Sequence, residues 1–437
     1  MTAPRVPSLG IDDELKDKIL FTLFALLIYR IGAHIAAPGV NVQALADFIR
    51  NSGAAGFFGL YDTLGGGLSR ATVFALGIMP YISSSIIFQL AGGVVPSIGK
   101  MQKDEEGRKK LTQWTRYLAV AISLAQAYTF ALFTESIPGA MPNAGFASRL
   151  VMVVTLTAGA VFVMWLGERI TERGLGNGMS ILIAVSILEA LWPGTLQLLS
   201  FIKTDVVSPI GALLFVAVLI GSVAAVTAMT IAARKIPIQI PRKVMGRGRI
   251  REGQKTYIPI RLITAGVMPI IFAQTIIIVP GTIASFTQNR WMQDIATFFN
   301  PGGLPYGIIF SIMIVAFSYL YTSMVFNAVD LSENLKKQGA FIPGVKPGAA
   351  TADYIDDVLA KVTLPGSLFL AAVALVPIIV SQALNIQSQF GGTSVLIVVG
   401  VLLDTIAQVE QHRQLRKYDS FMKMGRVRFR GRQQRFM

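Results

Sequence analysis

Ionisable side chains inside apolar stretches are the first candidates for chemistry in this chain. Arg30, Glu189 and Asp404 lie within long apolar runs, and Glu168 lies near the end of another. Charged groups are costly in a lipid bilayer, and where they occur they often conduct ions or protons. These four are spread over separate segments. That distribution favours pairing, or positioning at an interface, over a proton relay.

Catalytic and cofactor-binding sets are missing from the sequence. Cys is absent, which excludes disulfides, thiol catalysis and Cys-based metal sites. His34 and His412 are the two histidines, too few for a His-rich metal centre. The glycine-rich stretch Gly174–Gly178 follows an apolar helix and not a strand, and no Walker lysine follows it. We expect no enzyme activity, no cofactor and no metal.

The composition predicts an integral membrane protein. Of 437 residues, 53% are hydrophobic and only 14% are charged, whereas soluble domains are about 25% charged. The mean hydropathy is +0.58. Lys and Arg nevertheless outnumber Asp and Glu by 39 to 24, which gives a net charge of +15. Such a chain fits a bilayer and presents a basic surface to anionic partners on one side.

Ten apolar segments approach the length that spans a bilayer, about 20 residues. They lie near residues 19–36, 72–95, 117–135, 150–169, 180–199, 209–233, 257–280, 304–327, 364–384 and 391–410. The first segment has no cleavage site of small residues, so we predict a retained anchor and not a signal peptide. The expected fold is an all-α polytopic membrane protein with ten transmembrane helices.

Basic residues mark one side of the membrane. If residue 1 is cytoplasmic, nearly all of the 39 Lys and Arg residues fall in cytoplasmic loops and termini. The exceptions are Arg30 within the first segment, and Arg50, Arg70, Arg149, Lys203 and Arg290 on the other side. This asymmetry follows the positive-inside rule, and it predicts that both termini are cytoplasmic.

An internal repeat relates the second segment to the seventh. Ala-Leu-Gly-Ile-Met-Pro at 75–80 resembles Thr-Ala-Gly-Val-Met-Pro at 264–269. Since the two copies are five positions apart in the order of the segments, and five is odd, the two halves would cross the membrane in opposite senses, as in an inverted repeat. Chance similarity between two apolar helices with Gly and Pro is the alternative. We expect a cytoplasmic segment (1–18), an N-terminal half (19–199), a C-terminal half (209–410) and a basic cytoplasmic tail (411–437).

The stretch 53–70 is unusually apolar for a segment too short to span the membrane. It contains a set of apolar side chains followed by three glycines: Phe57, Phe58, Leu60, Tyr61, Leu64, Gly65, Gly66 and Gly67. A short apolar helix beside a flexible glycine run is expected to bury itself in a cavity between helices. An ordinary interfacial loop is the alternative.

Two predicted cytoplasmic loops, 234–257 and 328–363, are long enough to protrude. In the first, Ile236–Pro241 is extended in character, and a turn at Gly246–Gly248 predicts a basic hairpin. In the second, residues 351–359 are predicted to be helical. These loops could serve only orientation and binding of anionic lipid headgroups, or they could dock a large anionic partner. The tail alternates Arg with apolar residues, which fits RNA contact or lipid binding equally.

Four motifs resemble one family. They are Ala-Leu-Gly-Ile-Met-Pro-Tyr-Ile-Ser at 75–83, Ile-Thr-Glu-Arg-Gly-Leu-Gly-Asn-Gly at 170–178, Asn-Leu-Lys-Lys-Gln-Gly-Ala-Phe-Ile-Pro-Gly at 334–344 and Phe-Gly-Gly-Thr-Ser at 390–394. They resemble bacterial SecY, the channel subunit of the general secretion translocon. The resemblance runs from the first span to Gln408 and does not cover the tail. It implies a channel that passes unfolded secretory polypeptides across the membrane and releases signal and transmembrane helices laterally into lipid.

The resemblance implies an hourglass pore closed at its waist by an apolar ring. The positions that match the ring are Ile78, Ile82, Met179, Ile183, Ile271 and Ile397. Ile78 and Ile82 lie one helical turn apart, on one face. A narrow ring of branched aliphatic side chains excludes water and ions, yet offers no hydrogen bond that would trap a passing chain. Taken singly, each isoleucine could equally pack in a core or face lipid.

The resemblance also implies a plug, formed by 53–70, and a lateral gate between the second and seventh spans. The polar and helix-loosening candidates at the gate are Pro80, Ser83, Ser84, Gln89, Gln126, Thr264, Pro269 and Gln274. The family often has Asn where this chain has Ile263, so we expect a less polar gate here.

The implied partners are SecE, SecG, the ATPase SecA, the ribosome with its RNA, secretory preproteins, nascent membrane proteins and anionic lipids. The residues expected to dock cytoplasmic partners are Arg242, Lys243, Arg247, Arg249, Arg251, Lys336, Lys337 and Lys346. Lys346 stands where the family usually has Arg, which keeps the charge but loses the forked contact. The implied location is the bacterial cytoplasmic membrane. The rival functions are an inverted-repeat transporter of a small solute and an intramembrane enzyme.

Overall fold

The computed structural model describes residues 13–51, 58–59, 61–62, 66–239, 243–245, 249–251, 255–263, 266–285, 303–384 and 392–433. The helices are α1 (Asp13–Gly32), α2 (Val42–Asn51), α3 (Met79–Val94), α4 (Pro96–Lys103), α5 (Glu105–Ser136), α6 (Phe146–Arg173), α7 (Gly178–Lys203), α8 (Pro209–Ile231), α9 (Met268–Ser285), α10 (Leu304–Val325), α11 (Ala328–Gln338), α12 (Ala349–Ala383) and α13 (Gly392–Gln433). The strands are β1 (Ala233–Gln239), β2 (Lys243–Met245), β3 (Arg249–Arg251) and β4 (Lys255–Arg261). A 3-10 turn covers Leu68–Arg70.

Helices occupy all ten predicted apolar segments, and we call them spans 1 to 10: α1, α3, α5, α6, α7, α8, α9, α10, α12 and α13. Within the described part of the chain, seven helices are long and apolar enough to cross a membrane. The count rises to eight if α3 and α4, which meet at a 109° bend, form one span. Span 1 carries charges in its first turns, and the described apolar part of span 7 ends at Ile277.

Several predicted boundaries were wrong. Spans 2 and 7 begin at Met79 and Met268, later than the apolar runs that start near 72 and 257, because turns precede span 2 and strand β4 occupies 255–261. Span 9 begins at Ala349, so the predicted loop helix and the membrane helix are continuous. The helix of span 10 continues into the basic tail as far as Gln433. Hydropathy reports where apolar residues lie but not where the backbone leaves the helix.

Glycines bring two pairs of elements into backbone contact at matching places in the two halves. A Cβ added to Gly159 in span 4 would lie 2.0 Å from the carbonyl oxygen of Val73, just before span 2. A Cβ added to Gly366 in span 9 would lie 2.4 Å from the carbonyl oxygen of Leu262, just before span 7. Each fourth span therefore packs in the same way on the segment that leads into its second span. The inverted repeat is present in the packing as well as in the sequence.

The two halves meet along two seams. Span 2 packs against span 7, and span 5 packs against span 10. Within each half, span 2 packs against span 3 and span 7 against span 8. The centre of the molecule therefore lies between spans 2, 5, 7 and 10.

The two long loops form one body outside the spans, which we call the loop platform (233–261 and 326–362). β1 pairs antiparallel with β4, and β2 with β3, which confirms the predicted hairpin on either side of 246–248. Backbone hydrogen bonds of 2.9 and 3.0 Å join Gln239 and Phe341 across the two loops. An apolar cluster lies beneath them, contributed by Ile236, Ile238, Ile260, Ala328, Leu335, Ala340, Ile342, Ala352, Ile355, Val358, Leu359 and Val362. Because this core continues into span 9, the platform is anchored to the membrane helices.

Candidate functional site

Spans 2 and 7, which pack against each other between the two halves, begin with the same backbone conformation. Gly77 and Gly266 have φ angles of +54° and +60°, a left-handed conformation that glycine adopts without steric cost. Two residues later each helix starts at Met, with Pro80 or Pro269 in its first turn, where the missing N–H costs nothing. This Gly-x-Met-Pro start fixes the residue at which each helix begins. It therefore sets the positions of Ile82 and Ile271, which correspond in the repeat.

Spans 5 and 10 carry a second repeat that the motif search missed. Gly-Met-Ser-Ile-Leu-Ile at 178–183 matches Gly-Thr-Ser-Val-Leu-Ile at 392–397, and each helix begins at its glycine. A Cβ on Gly178 would lie 2.0 Å from the carbonyl oxygen of Gly167, and one on Gly392 would lie 2.3 Å from that of Val373. The repeat makes the ring residues Ile183 and Ile397 equivalent. A comparison of the sequence with itself could have found it.

The structure gathers the six predicted ring residues in one apolar cluster. Ile78, Ile82, Ile183, Ile271 and Ile397 are buried, and Met179 packs against the same cluster while partly exposed. They come from four helices: spans 2, 5, 7 and 10, with Ile78 immediately before span 2. Side chains from the two halves therefore meet at the centre of the molecule and fill it.

A cavity of about 350 Å³ lies directly beside this cluster, on the side of the long loops. Ile82, Met179, Ile183 and Ile271 form its apolar wall. Met268 and Phe272 extend this apolar wall, and the remaining lining carries polar and charged groups, which include Ser85, Gln89, Thr112, Arg116, Glu168, Glu172, Asn177 and Tyr321. Arg116 in span 3 donates from Nε to Oε1 of Glu168 in span 4 over 2.8 Å. We call this cavity the vestibule: polar and charged groups line one part of it, and predicted ring residues form its apolar end.

A second cavity, of about 430 Å³, adjoins the first between spans 2 and 3 on one side and span 8 on the other. Both cavities are lined by Tyr81, Ser85, Gln89, Thr112 and Tyr321. Phe88, Met324 and Val325 are among the apolar residues of its wall. The vestibule therefore continues sideways between the two halves.

The predicted gate residues are only partly brought together. Gln89 lines both cavities and donates from Nε2 to the hydroxyl of Ser85 over 2.9 Å. Ser84 is buried and donates to the carbonyl oxygen of Tyr81, and Ser83 is half-buried. The side-chain oxygens of Gln126 and Gln274 are buried with no hydrogen-bond partner among the described residues. Sequence reasoning missed Ser85 and Tyr321, which face both cavities.

Two remaining gate positions bear on how polar this seam is. Thr264 lies outside the described residues. Ile263 is buried, with 7% of its surface exposed, and it packs in the central apolar cluster. An apolar side chain therefore occupies the position where the family resemblance led us to look for Asn.

The predicted plug packs on the opposite side of the ring from the vestibule. Phe58 and Tyr61 are buried, the ring of Phe58 stacks on Phe133 at 5.7 Å, and the Tyr61 hydroxyl donates to the carbonyl oxygen of Leu76. A Cβ on Gly66 would lie 2.6 Å from the carbonyl oxygen of Ala75, so this glycine serves close packing. Phe57, Leu60, Leu64 and Gly65 lie outside the described residues.

Asp62 organises the end of this segment. Its carboxylate accepts hydrogen bonds from the N–H groups of Leu68 (2.8 Å) and Ser69 (3.3 Å) and from the Ser69 hydroxyl. Burial raises the pKa of Asp62 to about 6, although the hydrogen bonds from Ser69 and Leu68 and the charge of Arg70 act in the opposite direction. The segment therefore holds a carboxyl group that is easily protonated. Sequence reasoning did not single it out.

We expect the pH dependence of stability to change in Asp62→Asn. A carboxyl whose pKa is raised on folding stabilises the fold fully below its unfolded value, and this contribution is lost as pH rises through about 6. The melting temperature of the wild type should therefore fall relative to Asp62→Asn between pH 5 and 7, by about one or two degrees. Differential scanning fluorimetry in detergent measures it. A constant difference across this range would contradict the assignment.

Comparison with known proteins identifies the family. The SecY family model matches residues 72–406. A protein translocase subunit SecY from Aquifex aeolicus is 41% identical over 418 residues, covering 94% of this chain and 97% of the relative. The Escherichia coli K12 subunit is 39% identical over 430 residues, covering 96% of each chain. The chain belongs to the SecY family.

Solved structures agree with this fold. A structure described as a protein conducting channel matches with a TM-score of 0.66 at 19% identity, covering 94% of this chain and 95% of that one. Sec61 in a canine ribosome–channel complex matches with a TM-score of 0.61 at 18% identity over the same shares. This SecY chain thus has the expected fold of ten helices in two inverted halves around a central pore. It is a channel subunit and not an enzyme, so the transporter and enzyme alternatives are set aside.

Proposed function

We propose that this SecY chain forms the gated pore itself, with the six-residue ring as its closure, the stretch 53–70 as its plug, and the seam between spans 2 and 7 as its lateral gate. The observation that carries the proposal is the vestibule, whose apolar end wall is made of ring residues from both halves. A polypeptide entering from the platform side would meet polar groups first and the ring last. The adjoining cavity between spans 2 and 8 offers an apolar helix a way out toward lipid.

The chemistry of the lining fits a substrate without fixed sequence. Branched aliphatic side chains exclude water when closed and form no specific hydrogen bond with a chain in transit. The residues Ser85, Gln89 and Thr112 in the vestibule are neutral and polar, and Arg116 and Glu168 neutralise one another. Glu172, the other charged residue of this wall, pairs with Arg169 at 2.7 Å. Such a wall is expected to let a polypeptide pass without binding it tightly.

We place the chain in the bacterial cytoplasmic membrane with both termini and the loop platform in the cytoplasm. The support is the distribution of Lys and Arg over alternate loops. The two halves, 19–199 and 209–410, would surround the pore, with 1–18 and 411–437 at the cytoplasmic surface. Span 1 begins at Asp13, so the proposed N-terminal segment merges into its helix.

The proposed partners are SecE and SecG within the membrane, and SecA or the ribosome on the loop platform. The platform has an apolar core of its own and a basic sequence, and the canine Sec61 neighbour occurs in a ribosome–channel complex. Lys346 is exposed in a loop between Gly344 and Gly348, and Lys336 and Lys337 lie in the last turn of α11. Lys243, Arg249 and Arg251 are on the paired strands β2 and β3, while Arg242 and Arg247 lie outside the described residues. Ribosomal RNA phosphates, acidic side chains and anionic lipids would all suit these charges.

We expect the variant with Lys336→Gln, Lys337→Gln and Lys346→Gln to bind its cytoplasmic partner roughly tenfold more weakly, because exposed charge contacts each contribute up to about 1 kcal/mol. The loss should be larger at low salt. Binding of SecA or of ribosomes to proteoliposomes measures it. Lys361→Gln is the matched control, since Lys361 lies on the same platform but pairs with Asp357 at 2.6 Å. Equal binding of triple variant and wild type would remove these lysines from the docking surface.

Reconstitution tests the proposed function. Proteoliposomes containing the chain with SecE and SecG, supplied with SecA, ATP and a secretory precursor, should protect the precursor from added protease. Small-solute uptake driven by an ion gradient, without precursor import, would instead support the transporter.

A further inference from the structure

Glu189 is an acidic residue in span 5 that the pore proposal does not use. It lies six residues beyond Ile183 of the ring, a rise of about 9 Å along the helix toward the plug side. Its side chain is 21% exposed. A carboxylate placed there needs partners, and the structure supplies three basic groups.

The three groups come from two places in the chain. Arg30 is in the last turn of span 1 and His34 lies two residues beyond that helix, whereas Arg70 ends the 3-10 turn at the end of the plug. Nη1 of Arg30 contacts Oε2 of Glu189, and Nη1 of Arg70 lies 3.7 Å from Oε1 of Glu189. His34 Nε2 is also 3.7 Å from Oε1, while its Nδ1 is 3.0 Å from the carbonyl oxygen of Arg30. Pairing was one of the two roles that the sequence favoured for the ionisable residues of the spans, and Arg30 and Glu189 do pair.

The plug is tied to this cluster through its own turn. Asp62 accepts hydrogen bonds from Leu68 and Ser69, the two residues before Arg70. A small cavity of about 120 Å³ lies between Asp62, Arg70 and Glu189 and is also lined by Gly66, Gly67 and Ser186. Span 5 lines this cavity with Ser186, Glu189, Ala190 and Pro193, of which Glu189 is the charged one. The ionic contact between the plug and span 5 therefore depends on this carboxylate.

We propose that Glu189 is a positioning residue that latches the plug-side end of the pore: it holds Arg70 against spans 1 and 5 and so sets how readily the closed channel opens. The inference rests on the proposed role of 53–70 as a plug. It concerns one acidic side chain, and it predicts the order in which variants of Glu189 and Arg70 raise the resting conductance.

The order follows from charge. Removing Arg70 breaks one link and leaves Glu189 paired with Arg30. Removing the charge of Glu189 breaks all three contacts and leaves the guanidinium groups of Arg30 and Arg70, brought together by the same carboxylate, close to each other, with the Asp62 carboxyl as the counter-charge that remains near Arg70. Loss of the acid should therefore loosen the plug more than loss of the base. Removing both should relieve the repulsion.

Ion conductance of reconstituted channels without substrate tests the latch. Glu189→Gln should raise resting conductance roughly tenfold and Arg70→Gln roughly threefold. The double variant should resemble Arg70→Gln more than Glu189→Gln. A side chain with a merely structural role would make the double variant the leakiest, and that result would overturn the proposal.

Glu135→Gln is the matched control. Glu135 has a similar exposure, 23%, and pairs with Arg149 at 2.6 Å, but it has no described contact with the plug. Its conductance should equal that of the wild type. If Glu189→Gln does not accumulate as folded protein, the test rests on the threefold rise in resting conductance expected for Arg70→Gln. A resting conductance of Arg70→Gln equal to that of the wild type would then overturn the latch. If polar ring variants conduct while both latch variants remain sealed, the latch is wrong and the pore stands. Sealed ring variants would reject the pore itself.

Discussion

Channels carrying Ile82→Asn together with Ile271→Asn should conduct ions at rest at least about tenfold better than the wild type, because polar groups in a narrow apolar closure stabilise water within it. Both residues line the vestibule and both are buried in the central cluster. They occupy equivalent positions in the two halves, so each replacement introduces an amide from an opposite side of the waist. Single-channel recording in planar bilayers measures the conductance.

Two control variants separate closure from general damage. Ile82→Val with Ile271→Val keeps the waist apolar and should remain sealed. Ile86→Asn places the same amide one turn further along span 2, at a buried position that does not line the vestibule. It should lower stability without raising conductance. Conduction by Ile86→Asn equal to that of the double variant would refute a localised closure.

Gly178→Ala and Gly392→Ala should each cost more than about 3 kcal/mol of stability, since a methyl group has no space at either position. The added Cβ would lie 2.0 Å from the Gly167 oxygen in one case and 2.3 Å from the Val373 oxygen in the other. Backbone cannot move aside as a flexible side chain can. We expect little monodisperse protein after detergent extraction, measured by size-exclusion chromatography and thermal unfolding.

Gly221→Ala is the opposite case. Gly221 lies within span 6, and a Cβ there would meet no atom within 4 Å. Alanine is also the better helix former, so this variant should be neutral or slightly more stable. The same substitution thus has opposite signs at 178 and 221. Normal yield of Gly178→Ala would show that spans 4 and 5 separate more easily than their contact implies.

Sequence patterns were sufficient to locate the spans because a helix that crosses a bilayer needs about 20 consecutive, mainly apolar residues. They were sufficient for the platform hairpin because Gly and Pro punctuate it, and β2 and β3 flank the predicted turn. They failed at the start of spans 2 and 7, where residues of similar hydropathy change backbone conformation. Pro80 and Pro269 held the missing signal, since proline favours the first turn of a helix.

The candidate site was harder to predict because its parts are distant in sequence. The ring followed from family resemblance and not from spacing, as did the gate. Glu168 and Glu189 read as isolated charges along the chain, and folding pairs them with Arg116 and Arg30. Ser85 gave no signal of its own. Its place at the junction of two cavities depends on the packing of span 8 against the first half.

The glycine contacts of spans 4, 5, 9 and 10 make the molecule mechanically uneven. Every glycine-to-carbonyl approach closer than 3 Å in the described ranges joins parts of the same half. Just before span 5, the nearest atoms to a Cβ on Gly176 would be side-chain atoms of Ile181 and of Thr405 in span 10. A force that separates span 2 from span 7 would therefore disrupt side-chain contacts between the halves before it distorted the backbone packing within either half. Each half is expected to move as a stiff shell, and the compliance of the molecule is concentrated at the boundary where a passing helix must enter.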